Sequence, residues 1–357
     1  MKGDKTMSKH GLRTLFLVLS VSLGCFLRPT LVWAQVATPA QREAVQHLLL
    51  QKHVNGLALI NGPGDHPEVV SNQVTRDSQQ VVRTNRVIPI ASFQKLMTGV
   101  AINQLVLSGK LALSTPLSAF YPQVANGSQI TIGRLMMHTS GLRNVPGKLA
   151  APLEDEAAQR QYMLKHYRST GKFSWCYSDV DFSFLAAVIH RTTRQSYQNY
   201  LADKVSRPLG VRVEFADHLT NGHRVTQAMG KKQGWSTLQR RMSKEPGAGD
   251  ILCTPVAYWY FLYRGVLDNP TMLAQYTNRQ AAWETYFGGA YIEAPYLHAN
   301  GYLSGYSCTF YSNWESRQTV MLFANNLSYH ELRVVNSQLV HAYFDDHRTE
   351  QKQINAE

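Results

Sequence analysis

Ser92-Phe-Gln-Lys-Leu-Met-Thr-Gly-Val-Ala-Ile-Asn-Gln-Leu-Val-Leu-Ser108 is the stretch on which the reading of this chain turns. Phe93, Leu96, Met97, Val100, Ala101 and Leu105 recur at helical spacing, and Gly109 ends the run. Ser92 and Lys95 stand three apart at its start, so they share a helix face and the amine lies beside the hydroxyl. A serine at a helix start also sits near free backbone N–H groups and the positive end of the dipole, which would stabilise an alkoxide and then an oxyanion. The competing account of Ser92 is a plain N-cap, for which serine is a favoured residue.

Outward from this helix the pattern is α+β. Residues 39–53 read as a helix with Pro39 in its first turn, residues 56–61 as a strand, and Asn61-Gly-Pro-Gly64 as a turn. The middle, about 106–254, is mostly helix and loop, with a well-patterned helix near 182–191. Strand character returns at 286–291, 302–311 and 319–324, and Trp314-Glu-Ser-Arg317 implies a hairpin between the last two. A final helix is expected over 329–343, followed by a polar tail (346–357). Strands near both ends enclosing a helical middle predict one sheet completed by distant segments, with a helical insertion between them. The catalytic unit expected is 35–345, with its α/β part at about 45–105 and 255–345.

The 357 residues are 44% hydrophobic and 17% charged, enough to bury a large core, which excludes a disordered or fibrous chain. Lys+Arg number 36 and Asp+Glu 24, a net charge of 36 − 24 = +12. Lys2, Lys5, Lys9 and Arg13 precede an apolar run from Leu15 to Leu27, the order of an export signal. Residues 1–34 are therefore expected to be a signal peptide, or an N-terminal membrane anchor if uncleaved, and the rest to act outside the cytoplasmic membrane. Beyond Cys25 there remain Cys176, Cys253 and Cys308, an odd, widely spaced set that implies no disulfide framework and no zinc site; a single disulfide stays open.

Two further stretches carry chemistry. Tyr177-Ser-Asp179 precedes the 182–191 helix, and a phenol near a lysine ammonium would have its pKa lowered and could act as a base toward Ser92. A loop tyrosine with an aspartate cap is the alternative. Tyr296-Leu-His-Ala-Asn-Gly-Tyr-Leu-Ser-Gly-Tyr306 is a glycine-punctuated strand that a ligand could approach closely, or a plain bulged strand.

With these go Gln104-Leu-Val-Leu-Ser-Gly-Lys-Leu-Ala-Leu113, Ile130-Thr-Ile-Gly-Arg-Leu-Met-Met-His-Thr-Ser-Gly-Leu142, Pro208-Leu-Gly210 and Gly249-Asp-Ile-Leu-Cys-Thr-Pro255. In that order, from about 54 to 326, they resemble the serine β-lactamase and penicillin-binding protein superfamily, in its class C β-lactamase-like, D-alanyl-D-alanine carboxypeptidase-like branch. The resemblance implies a β-lactamase/transpeptidase-like fold, an antiparallel sheet flanked by terminal helices with an inserted, mainly helical subdomain. It implies that Ser92 is acylated, that Lys95 assists as proton acceptor and positive charge, and that Tyr177 is the base. Backbone N–H groups of Ser92 and Tyr302 would form the oxyanion hole. The family's third motif falls on Ala299-Asn300-Gly301, with Ala299 where a basic residue should be; a one-residue bulge would bring His298 into line. Asp179 replaces the more usual asparagine, and a carboxylate there would hold Lys95 in its charged form.

The activity implied is an exported acyl-transfer hydrolase working through acyl-Ser92, a wall carboxypeptidase or penicillin-binding enzyme, with an esterase or a non-catalytic peptidoglycan-binding protein as alternatives. Its partners would be peptidoglycan peptide, a β-lactam or a small ester, with anionic wall polymers drawn by the charge. No metal or cofactor is called for. Neither H-E-x-x-H nor G-x-S-x-G occurs, and no nucleic-acid motif accompanies the basic balance.

Overall fold

The computed structural model describes residues 35–230, 234–279 and 285–344. The expected leader and the 346–357 tail lie outside the described residues. Helix α1 (Pro39–Gln51) begins on a capping box: Thr38 Oγ1 accepts from the Gln41 N–H, and Gln41 Oε1 accepts from the Thr38 N–H. Strands β1 (Gly56–Asn61) and β2 (Pro67–Asn72) follow, then the helix α2 (Gln94–Leu107) and, after a long excursion, α3 (Asp179–Thr193). Strands β3 (Thr285–Phe287), β4 (Ala290–Glu293), β5 (Tyr296–Leu303), β6 (Tyr306–Asn313) and β7 (Thr319–Ala324) lead to the last helix, α4 (Tyr329–Phe344).

The seven strands form one antiparallel sheet in the order β2-β1-β7-β6-β5-β4-β3. The register that joins the early strand to the late one runs from Gly56 opposite Ala324 to Ile60 opposite Val320. Strand alternation splits the core into two layers. Ala58, Ile60, Val320 and Leu322 face Val45, Leu49, Leu332, Val335 and Leu339 of the terminal helices. Leu57, Leu59, Met321 and Phe323 face the other way, onto Phe93, Leu96 and Met97. Helix α2 is buried on all sides, eleven of its fourteen residues included, as an apolar helix at the centre of a fold must be.

Two expected strands are each divided. The 302–311 segment crosses a turn at Ser304 and Gly305 (φ 52° and 99°), so it contributes to both β5 and β6. The 286–291 segment is broken by Gly288 and Gly289 (φ 58° and 94°) into β3 and β4. In both places the apolar pattern runs on through the turn and conceals it. The second turn presses on α2: a Cβ at Gly99 would lie 1.9 Å from the Gly288 carbonyl oxygen, and one at Gly289 2.1 Å from the Leu96 nitrogen. Cys176, Cys253 and Cys308 are unbridged. No helix among the described residues is long and apolar enough to cross a membrane.

Candidate active site

Ser92 lies in the single 3₁₀ turn Ala91–Phe93 that runs into α2, and Ala91 before it takes a left-handed φ of 47°, a strained conformation for a residue with a side chain. Lys95, one turn into the helix line, is fully buried. Its Nζ donates to Ser92 Oγ at 2.9 Å and to the Ala248 carbonyl at 3.1 Å, and it pairs with Asp179 Oδ1 at 2.8 Å. Three acceptors meet three N–H bonds, so the ammonium is fixed in orientation and its burial is compensated. Asp179 stands in the first turn of α3, where a carboxylate is favoured by the helix dipole.

Tyr177 Oη is 2.7 Å from Ser92 Oγ, completing a Tyr–Ser–Lys cluster. The loop that carries it is tied down from behind. The His138 carbonyl accepts from the Cys176 N–H, and the His138 ring lies 4.5 Å from the Tyr177 ring. His138 Nδ1 in turn meets Asp181 Oδ2 at 2.8 Å, and Ser140 Oγ donates to Asp181 Oδ1 at 2.5 Å. Burial pushes the His138 pKa well below its usual range and that of Asp181 well above. The His-Thr-Ser-Gly segment therefore acts as a buried brace for the tyrosine loop.

The expectation that Lys95 lowers the Tyr177 pKa is reversed. Although 37% of the side chain is exposed, its hydroxyl end sits deep, and desolvation there followed by the nearby Asp179 carboxylate pushes the phenol well above its ordinary value. Lys95 spends its charge on Asp179. Tyr177 in the resting site is a neutral phenol hydrogen-bonded to the nucleophile.

A cavity of about 490 Å³ opens onto Ser92 and is lined by Tyr177, Asp179, Ala299, Asn300 and Tyr302. Gly301 sets how near β5 comes: a Cβ there would lie 2.6 Å from the Ile90 carbonyl oxygen, so only glycine lets β5 approach the nucleophile turn this closely. His298 does not reach the cavity. β5 and β6 pair without interruption from Tyr296–Asn313 to Leu303–Tyr306, so no bulge shifts the register, and His298 points to the face opposite Ala299. There its ring stacks 4.2 Å from Tyr311 and 5.1 Å from Tyr291. Asn300 accepts from Thr309 Oγ1 at 2.7 Å. Sequence reasoning missed Glu245, Tyr286 and Tyr291, which also line the cavity. Glu245 belongs to no helical or strand period; a carboxylate in the glycine-rich stretch Glu245–Asp250 was the available signal.

The geometry is that of a serine nucleophile with two proton-handling neighbours, able to form and hydrolyse an acyl ester. The family model described as Beta-lactamase matches residues 42–338. The chain is 26% identical over 328 residues to PbpX of Bacillus subtilis (strain 168), named for penicillin binding, across 85% of this chain and 79% of that one. It is 26% identical over 270 residues to the teichoic acid D-alanine hydrolase of Staphylococcus aureus (strain MRSA252), across 70% of this chain and 64% of that protein. Among solved structures it is similar to the D-amino acid amidase from Ochrobactrum anthropi SV3 (TM-score 0.71, 18% identity, covering 85% of this chain and 98% of that one). The likeness of fold is β-lactamase/transpeptidase-like, as the sequence motifs implied.

Proposed function

The chain belongs to the beta-lactamase family of serine hydrolases, and from that premise we propose that it cleaves D-alanyl ester or amide bonds of the bacterial cell wall through an acyl-Ser92 intermediate. The observation that carries this reading is the placement of Ser92 Oγ 2.7 Å from Tyr177 Oη and 2.9 Å from Lys95 Nζ. The base is the Tyr177 phenolate, formed when the resting phenol loses its proton to solvent; as Ser92 attacks the carbonyl its proton passes to that oxygen, while the Lys95 ammonium stays bonded to Ser92 Oγ. The phenol then protonates the leaving group, and water attacks the ester by the reverse path. The N–H groups of Ser92 and Tyr302 are the donors we assign to the oxyanion. We place the enzyme outside the cytoplasmic membrane, a location supported by the leader pattern in residues 1–34.

A D-Ala-D-Ala carboxypeptidase acting on peptidoglycan is the second reading. Such a substrate ends in a carboxylate, which Ala299 cannot bind and which the cavity's own Asp179 would repel. What favours it is Arg241, whose guanidinium donates to Ser304 Oγ just beyond β5 and is the cation a terminal carboxylate would need. Intact-mass spectrometry after incubation with a fluorophosphonate and with a fluorescent penicillin tests both. An adduct on Ser92 with fluorophosphonate alone supports the ester or amide reading, and a lasting penicillin adduct supports the peptidase. Absence of any Ser92 adduct would sink the enzyme altogether.

A further inference from the structure

The cavity holds a carboxylate that acyl transfer to Ser92 does not use. Glu245 lines it beside Asp179 and Tyr291, in the loop after the helix Trp235–Met242. The loop is rigid at this point: the Glu245 N–H bonds to the Met242 carbonyl, and the Glu245 carbonyl accepts from the Ala248 and Gly249 N–H groups at 3.0 and 2.9 Å. Gly249 makes the room in which the carboxylate rests, since a Cβ there would lie 2.5 Å from Glu245 Oε2. No described residue forms an ion pair or a hydrogen bond with the Glu245 carboxylate. The cations in reach are engaged elsewhere, Lys95 by Asp179 and Arg241 by Ser304.

A half-buried anion without a partner is costly, and the cost shows. Desolvation, followed by the Asp179 charge, pushes the Glu245 carboxyl up to about 8; Asp250 adds in the same sense, while Lys95 and Arg241 oppose it. The cavity wall also carries the aromatic rings of Tyr286 and Tyr291, side chains of a kind that suits a cation. In a chain of net charge +12, the described residues that line this cavity include two carboxyl side chains, Asp179 and Glu245, and no lysine or arginine.

We infer that Glu245 is a specificity residue that receives the free α-ammonium of an aminoacyl ester or amide while its carbonyl faces Ser92. The inference rests on the acyl-Ser92 reading and names the acyl group that site accepts: an amino acid with an unblocked amine, in preference to an N-acylated one such as the interior of a peptide. The bound ammonium supplies the charge partner that the free site lacks; the carboxyl proton passes to the amine when the substrate enters uncharged and to solvent when it enters as the ammonium.

The test is the ratio of kcat/KM for D-alanine methyl ester to that for N-acetyl-D-alanine methyl ester, measured on the full chain and on Glu245→Gln. The expected ratio in the unmodified enzyme favours the free amine by about tenfold or more. Glu245→Gln should lower kcat/KM on the free amine at least about tenfold further than on the N-acetyl ester, chiefly through KM. Equal losses on the two esters, or none, would overturn the assignment. Should the variant not fold, a ratio near or below one in the unmodified enzyme overturns it equally. Fluorophosphonate labelling of Ser92 separates the causes: labelling with no amine preference removes the role of Glu245 alone, while no labelling removes the acyl-Ser92 reading and this inference with it.

Discussion

Asp179 governs how Ser92 can be activated. Its carboxylate holds Lys95 at 2.8 Å and stands close enough to Tyr177 to discourage the phenolate. Asp179→Asn removes a negative charge that raises the tyrosine pKa, so the rising limb of the kcat/KM–pH profile should move toward lower pH; a limb that stays in place means Tyr177 ionisation is not what that limb reports. Tyr177→Phe deletes the 2.7 Å contact to Ser92 and should slow fluorophosphonate acylation by about 10²–10⁴-fold with unfolding unchanged. Near-normal acylation would remove Tyr177 from the chemistry. The adjacency of Ser92 and Lys95 could be read from their spacing because a helix fixes neighbours three apart, whereas Tyr177 lies in a loop before a different helix and its role was implied only by the family resemblance. The sign of the Tyr177 shift could not be read, since it depends on how deep the hydroxyl lies and how near α3 brings a second charge. Glu245 was invisible for the same reason: its place at the cavity is made by the tertiary approach of a loop with no period of its own.

Helix α2 shows what an element adds to its residues. It carries Lys95 at its start and meets the β3–β4 turn halfway along, where Gly99 faces Gly288. Gly99→Ala would place a methyl group 1.9 Å from a backbone oxygen, a clash that no rotamer relieves. The expected cost is about 1–3 kcal/mol or more, seen as a melting temperature several degrees lower. Gly109→Ala is the matched control: its φ is 70° but nothing lies within 4 Å, so only left-handed strain, about 1–2 kcal/mol, applies. If both variants melt alike, the α2–turn contact is looser than the geometry requires. The helix itself was legible, since its period is strong and Gly109 ends it. The turns at Ser304-Gly305 and Gly288-Gly289 were not, because β-rich residues continue on either side and alternation does not show where a strand reverses.

At the scale of the molecule, the sheet joins β1 to β7 across more than 250 residues of chain, a closure that followed from strands at both ends of the sequence. What periodicity cannot show is that this fold buries ionisable groups around α2. Burial holds Glu245 at about 8, and it raises Asp250, which accepts from Gln94 and the Gly247 N–H, to about 7. Both exceed the roughly 4 of an unfolded carboxyl, so above that pH the native chain keeps protons that the unfolded chain has lost. Their contribution is complete below about 4 and is lost by about 1.4 kcal/mol per pH unit for each proton retained, until the loss ends at about 7 for Asp250 and about 8 for Glu245. His138 works the other way, because its buried ring refuses a proton that the unfolded chain binds below about 6.5, and its penalty is spent above that pH. The window from about 6.5 to 8 therefore belongs to these carboxyls and to Asp181, likewise pushed well above its usual range by burial, and thermal stability should fall across it. Asp250→Asn and Glu245→Gln, which mimic the protonated forms, should each flatten that fall. A melting temperature that stays level or climbs from pH 6.5 to 8 in the unmodified chain would mean that Glu245 and Asp250 are charged in the native state, as Glu245 would be if the cavity took up a cation of its own.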